Sequence, residues 1–272
     1  MLRLAANVST MFTEWPLVDR FAAAADAGFA AVEMQFPYDV ACGSLGKARR
    51  AAGVEVVLIN LPAGDLAAGD LGLACRPDRR ADFAESLARA IEYAQALECG
   101  RVNCLAGLLT TDLAPDRAWA TLTDNIDHAS SVLQGHGIGL LVEALNAVDQ
   151  PRFVLNRLAL VDRLLDELGH PNLALQFDIY HAVANGEDWH AELLSRLPRV
   201  GHIQFSDCPG RGEPGSGTID FDGVFACLRT LDYAGWTGCE YRPTGRTLDS
   251  LGWRRQAREI VRPVPPRTGR TA

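Results

Sequence analysis

The chain has 272 residues, of which 48% are hydrophobic and 22% charged, and this balance excludes a disordered or fibrous protein because a sizeable core can be buried. Its net charge of −8 argues against a nucleic-acid-binding protein, since an acidic surface repels phosphate backbones. No stretch approaches the roughly 18 apolar residues of a membrane span. The 7 cysteines are scattered without a C-x-x-C pair, which is typical of buried thiols in a reducing compartment. We therefore expect a cytoplasmic protein that contacts neither nucleic acid nor membrane.

Short apolar runs alternate with helical stretches, most of which end in glycine. The predicted strands are 2–9, 29–34, 54–61, 101–107, 138–145, 173–180, 200–207 and 236–241. The predicted helices are 16–27, 43–52, 78–98, 115–135, 155–168, 187–196, 220–231 and 247–260. Nearly continuous apolar strands between helices indicate a parallel sheet that is covered on both faces.

Eight such units predict an α/β fold, a single (β/α)8 TIM barrel over residues 1–260. A doubly wound open sheet is the alternative. The Pro/Arg-rich tail 261–272 has no apolar periodicity, and we expect it to be disordered.

Polar side chains occur at the ends of the last four predicted strands. Glu143, Asp178 and Glu240 end strands five, six and eight, and Gln204 lies on strand seven. In a barrel these positions meet at one rim, where three carboxylates would repel each other unless a cation held them. An all-oxygen set favours Mg²⁺ or Mn²⁺ over zinc. Alternatively, these side chains cap helices or pair with arginines.

Two further residues are candidates for binding substrate. His181 lies three residues after Asp178 and could donate a hydrogen bond to a substrate oxygen. Arg211, in the loop after strand seven, offers a guanidinium for a carboxylate or phosphate.

Other polar residues allow two interpretations. His202 shares a face with Gln204 and is interpreted as a core histidine, and Glu33 is either a site carboxylate or the partner of an arginine. Three strand-end asparagines are as consistent with turn capping as with ligand binding: Asn7, Asn60 and Asn146. Cys104 and Cys239 are expected to be small buried side chains rather than nucleophiles.

A glycine-rich segment at 210–215 fits G-x-G-x-x-G. Its third glycine follows Pro214 in a loop and does not lie in an opening helix, which can start only near residue 220, and this disfavours a dinucleotide site.

Taken together, the sequence resembles the hydroxypyruvate isomerase family of xylose-isomerase-like barrels, which also include ketose 3-epimerases. The strings that carry the resemblance are AANVSTMFTEWP, VEMQFPYD, NLPAGDLAAGDLGLAC, RVNCLAG, VEALN, FDIYHA, GHIQFSD, RGEPGSGTIDF and GCEYRP. They extend from residue 1 to about residue 255.

The resemblance implies that Glu143 and Glu240 transfer protons during the isomerisation of hydroxypyruvate, a small anionic 2-oxo acid. It also implies a divalent metal on Glu143, Asp178, Gln204 and Glu240, with His181 and Arg211 binding substrate. The related epimerases have histidine at the position of Gln204, and the sequence departs from the family at Ala144, where proline is common.

Several other functions remain open on the sequence. A 2-oxo-tetronate isomerase would use the same chemistry on a four-carbon acid, and a ketose 3-epimerase fits Gln204 less well. A DNA-repair endonuclease would need a multi-zinc histidine cluster and a basic face. A non-catalytic sugar-acid-binding protein is a further alternative, and the sequence leaves open whether the chain forms a homo-oligomer.

Overall fold

The computed structural model describes residues 2–259, and its eight strands form a closed, all-parallel barrel in chain order. The strands are β1 (Leu4–Asn7), β2 (Ala31–Met34), β3 (Glu55–Asn60), β4 (Arg101–Cys104), β5 (Gly139–Glu143), β6 (Leu173–Asp178), β7 (Val200–Phe205) and β8 (Thr237–Cys239). Each pairs with its sequence neighbours, and β1 pairs with β8. The barrel prediction is confirmed and the open-sheet alternative is wrong, because β8 returns to β1.

Helices follow the strands around the outside. They are α1 (Leu17–Asp26), α2 (Cys42–Ala52), α3 (Arg80–Ala96), α4 (Pro115–Gly135), α5 (Leu158–Leu168), α6 (Ile179–Ala184), α7 (Trp189–Arg196), α8 (Phe221–Thr230) and α9 (Trp253–Glu259). Short 3₁₀ helices lie at 37–39, 77–79, 197–199 and 247–252. The last of these occupies the first part of the helix predicted at 247–260.

Two helices end as their sequence predicts. Gly53 and Gly169, at the ends of α2 and α5, have φ of 68° and 54°, a left-handed conformation that glycine adopts without steric cost. The short helix α6 was not predicted, because six residues directly after a strand are too few to show helical periodicity.

The apolar core divides into two clusters. The larger one packs helices against the outer face of the strands, and the smaller one comprises Ala5, Ala31, Val57, Leu58 and Leu141. Alternate residues of a strand share a face, so Ala5, Ala31 and Leu141 lie on the same face as Asn7, Glu33 and Glu143. The barrel interior is thus apolar near the start of the strands and polar near their ends.

Within residues 2–259, no helix is both long enough and apolar enough to cross a membrane. The predicted disordered tail at 261–272 lies outside the described residues.

Candidate active site

A cavity of about 530 Å³ opens at the carboxyl ends of the strands. This volume lies within the range of small-molecule sites. Five of the six predicted site residues line this cavity. They come from β5, β7, α6 and the segments after β7 and β8: Glu143, Gln204, His181, Arg211 and Glu240. Asp178, the sixth, is buried at the end of β6 and touches two of them.

Two of the three buried carboxyl groups at this rim contact the same guanidinium, that of Arg211. Arg211 Nη2 lies 3.2 Å from Asp178 Oδ2 and 3.0 Å from Glu240 Oε1. Glu143, Asp178 and Glu240 are all nearly fully buried. One positive charge cannot neutralise three buried carboxylates, so the cluster favours either protonation or a bound cation.

The pKa values reflect this imbalance. Burial, followed by the charges of Glu240 and Asp178, raises the pKa of Glu143 well above its usual value. Burial also raises the pKa of Glu240 to about 8, although Arg211 opposes the shift. Burial raises the pKa of Asp178, again against Arg211. Strongly perturbed carboxyl groups in a cavity are typical of sites that transfer protons.

Neighbouring amides hold the two glutamates in place. Asn103 Nδ2 donates to Glu143 Oε2 at 3.0 Å, and Gln35 Nε2 donates to Glu240 Oε1 at 2.6 Å. Neither residue is among those predicted from the sequence. Gln35 follows β2 directly, so its strand-end position could have identified it, whereas Asn103 lies within β4 and carries no comparable signal.

His181 is a neutral hydrogen-bond donor. Its Nδ1 accepts from the backbone N–H of Asn146 at 3.0 Å, so in the neutral ring the proton lies on Nε2. Burial, together with Arg211, lowers the pKa of His181 well below its usual value. Nε2 points at the carboxylates, 3.6 Å from Asp178 Oδ2 and 3.9 Å from Glu143 Oε1.

Glu143, Asp178 and His181 offer ligand atoms within 4.8 Å of one another, a grouping that could hold a metal ion. A metal-bound histidine normally donates its other N–H, whereas Nδ1 of His181 accepts. The carboxylates are therefore the better ligands of this group. Among the described residues, the buried oxygens Asn103 Oδ1 and Gln176 Oε1 also have no hydrogen-bond partner. This oxygen-rich donor set fits a hard divalent cation.

Gln204 hydrogen-bonds with two other buried side chains and not with the carboxylates around Arg211. Its Oε1 accepts from Gln176 Nε2 at 2.5 Å and its Nε2 donates to Glu33 Oε1 at 2.7 Å. Gln176 is not among the residues predicted from the sequence. It lies two residues before Asp178 on the same strand face, so strand alternation could have identified it.

Glu33 anchors a buried network beneath the carboxylates. His202 Nε2 lies 2.6 Å from Glu33 Oε2, and Asn7 Nδ2 donates to Glu33 Oε1 at 3.0 Å. The core placement of His202 is confirmed, whereas the arginine partner considered for Glu33 is wrong, because a histidine fills that position. A side chain at Gly238 would collide with the Glu33 carboxylate, so any other residue there would displace that carboxylate from its hydrogen bonds.

The asparagines do more than cap turns. Asn7 both accepts from the Ser9 backbone N–H and donates to Glu33. Asn60 lines the cavity, and Asn146 Nδ2 lies 2.8 Å from His181 Nδ1. Cys104 and Cys239 are buried as predicted.

Asp207 holds the loop after β7 in the conformation that positions Arg211. Asp207 is fully buried, and its carboxylate accepts from the backbone N–H groups of Cys208, Gly215 and Ile219 at 2.8–3.0 Å. Arg211 has φ of 60°, which is uncommon for a residue other than glycine, and its N–H donates to the Asp207 carbonyl. The loop thus fixes a strained backbone that presents the guanidinium to the carboxylates.

We expect Asp207→Ala to release this loop. Three buried N–H groups would lose their acceptor, at about 1–3 kcal/mol for each group that water does not reach, so both stability and catalytic efficiency should fall. Thermal unfolding and steady-state kinetics would measure this, with Asp232→Ala at an exposed position after α8 as the control. An unchanged kcat/KM in Asp207→Ala would contradict the assigned role of Asp207.

Comparison with known proteins agrees with this architecture. The model of the xylose isomerase-like TIM barrel family matches residues 21–260. The hydroxypyruvate isomerase of Escherichia coli K12 is 40% identical over 253 residues, which cover 93% of this chain and 98% of that protein. A 2-oxo-tetronate isomerase of Cupriavidus necator is also 40% identical, over 93% of this chain and 97% of that protein.

Among solved structures, a protein described as a family 2 AP endonuclease from Brucella melitensis superposes with a TM-score of 0.90 at 35% identity. The superposition covers 94% of this chain and 99% of the Brucella melitensis chain. The chain therefore belongs to the xylose isomerase-like TIM barrel family.

Proposed function

We propose that the chain is a hydroxypyruvate isomerase, which interconverts hydroxypyruvate and 2-hydroxy-3-oxopropanoate. The observation that carries this proposal is the pair of buried glutamates, Glu143 and Glu240, which line one cavity and have raised pKa values. The identity to the Escherichia coli hydroxypyruvate isomerase supports it.

The reaction needs two proton transfers at neighbouring carbons. Hydroxypyruvate loses a proton from C3 and gains one at C2, while the hydroxyl proton moves from the C3 oxygen to the C2 oxygen. One glutamate takes the carbon-bound proton and the other returns a proton to the adjacent carbon. A raised pKa suits both roles, because such a carboxyl group can hold a proton near neutral pH.

The remaining residues stabilise the enediolate between these steps. The Nε2–H of His181 is available to a substrate oxygen, and Arg211 supplies positive charge beside both Asp178 and Glu240. Glu143, Asp178 and Glu240 would hold a divalent ion, with the Gln204 amide oxygen as a fourth ligand. Mg²⁺ or Mn²⁺ bound there would supply Lewis-acid polarisation of the substrate oxygens.

A four-carbon substrate is the second candidate. The Cupriavidus necator 2-oxo-tetronate isomerase is as similar to this chain as the hydroxypyruvate isomerase is, and one loop can resize a pocket.

The nuclease alternative fits the site less well. The one grouping of metal-ligating side chains found within residues 2–259 contains a single histidine, and the chain is acidic. We propose a cytoplasmic enzyme, consistent with the seven free cysteines.

The test is to incubate metal-stripped and then Mg²⁺- or Mn²⁺-loaded protein with hydroxypyruvate in D₂O and to follow the reaction by proton NMR. Metal-dependent formation of 2-hydroxy-3-oxopropanoate would establish the activity. Deuterium exchange at C3 without product would move the assignment to a longer sugar acid. Absence of both exchange and product would overturn the three-carbon assignment.

A further inference from the structure

Two arginines line the cavity, and they differ in their surroundings. The Arg211 guanidinium is largely buried and lies between Asp178 and Glu240. Arg242 is exposed at the cavity mouth, and its guanidinium makes no hydrogen bond or ion pair with the residues that the structure describes. All the guanidinium donors of Arg242 are therefore available to an anion, whereas Arg211 Nη2 is engaged by Asp178 and Glu240 and only the rest of that buried group, including Nε, is without a partner.

The backbone holds Arg242 beside the reacting groups. Its N–H donates to the Arg211 carbonyl at 2.8 Å, which ties the segment after β8 to the Arg211 loop. Arg242 follows Glu240 by two residues, so one short segment carries both a proton-transferring carboxylate and an exposed guanidinium. The hydrogen bonds from Asn146 and Tyr180 lower the pKa of Asp149, and the charges of Arg211 and Arg242 act in the same direction, so both arginines lie near the Asp149 side of the cavity.

The inner end of the cavity is unsuitable for a substrate carboxylate. Four carboxyl groups are buried there: Glu33, Glu143, Asp178 and Glu240. A substrate carboxylate there would compete with them for Arg211 and for any proton or cation that the cluster holds. With its reacting carbons beside Glu143 and Glu240, an anionic substrate must turn its carboxylate toward the mouth.

We propose that Arg242 binds the carboxylate of the substrate and thereby selects 2-oxo and 2-hydroxy acids over neutral sugars of the same size. This inference rests on the proposed isomerase function. A guanidinium forms two parallel hydrogen bonds with a carboxylate, whereas a neutral CH₂OH group at that position offers no charge to pair with.

The test compares Arg242→Gln and Arg242→Lys with Arg246→Gln, which removes the same charge from an exposed arginine that does not line the cavity. Arg242→Gln should raise the KM for hydroxypyruvate at least tenfold with kcat within threefold of wild type. Arg242→Lys should be intermediate, and Arg246→Gln should match wild type. A KM within twofold of wild type in Arg242→Gln, or an equal rise in Arg246→Gln, would overturn the proposal.

Calorimetric binding of glycerate, with glycerol as the neutral probe, separates this inference from the isomerase assignment. If wild type binds glycerate and Arg242→Gln weakens that binding at least tenfold, carboxylate recognition by Arg242 stands even without turnover of hydroxypyruvate. If wild type turns over hydroxypyruvate but glycerate binding is unchanged in Arg242→Gln, the inference fails and the isomerase assignment remains.

Discussion

Glu143→Gln and Glu240→Gln should each reduce the rate of isomerisation by about 10²–10⁴-fold, the range typical of removing a general acid or base. Glutamine keeps the shape of the side chain and its hydrogen-bonding oxygen but cannot take up or release the carbon-bound proton. The rate is measured by proton NMR of metal-loaded protein with hydroxypyruvate.

The matched control is Glu85→Gln, the same change at an exposed site on α3 that does not line the cavity. It should leave the rate unchanged. Because the two glutamates act in consecutive transfers, the double variant should lose far less than the product of the single losses. A rate above one tenth of wild type in either single variant would remove that glutamate from the mechanism.

The second large effect is a dependence of stability on pH and metal. In the metal-free protein, Glu240 has a pKa of about 8 in the folded state against about 4.3 for an unperturbed glutamate. The folded protein then binds more protons than the unfolded chain between these values, so its free energy of unfolding falls as pH rises. The raised pKa values of Glu143 and Asp178 act in the same direction.

His181 contributes the opposite trend over a lower range. Its pKa is lowered by burial, so its contribution to stability rises with pH until about pH 6.5, the unperturbed value, and is then constant. The decline caused by the carboxyl groups should therefore be clearest between about pH 6.5 and pH 8. Thermal unfolding of chelator-treated protein across this range measures it, and Glu240→Gln should flatten the decline.

Metal binding should offset this fall in the free energy of unfolding at higher pH. A divalent ion binds deprotonated carboxylates, so Mg²⁺ or Mn²⁺ should raise the Tm more at pH 8 than at pH 5. At one hundred times its Kd, a ligand adds about 2.7 kcal/mol, or roughly 5–11 °C for a chain near this size. An equal shift at both pH values, or none, would be evidence against metal binding by these carboxylates.

The sequence was sufficient to predict the barrel and its carboxylate rim. Eight apolar runs between helices define the strands, and a parallel barrel brings their carboxyl ends together, so Glu143, Asp178 and Glu240 had to lie at one rim. His181 and Arg211, which were predicted to bind substrate, also line the cavity at this rim.

Contacts between distant strands could not be predicted in the same way. Gln204 bonds to Gln176 and Glu33, and these pairings depend on strand tilt and register rather than on local pattern. The free guanidinium of Arg242 is likewise invisible in the sequence, because an exposed arginine near a strand end resembles any solvated charge. Burial and partner identity are properties of the closed barrel.

The position of Glu33 has a consequence for biosynthesis. Its partners His202 and Gln204 are separated from it by 169 and 171 residues, and Gly238, against which its carboxylate packs, comes later still. At ribosomal rates of 5–20 residues per second, roughly ten to thirty seconds pass between the synthesis of Glu33 and that of its partners His202 and Gln204. The floor of the cavity is therefore completed only after the carboxyl-terminal strands emerge, and a chain truncated before β7 would keep only Asn7 among the three side chains that bond to Glu33.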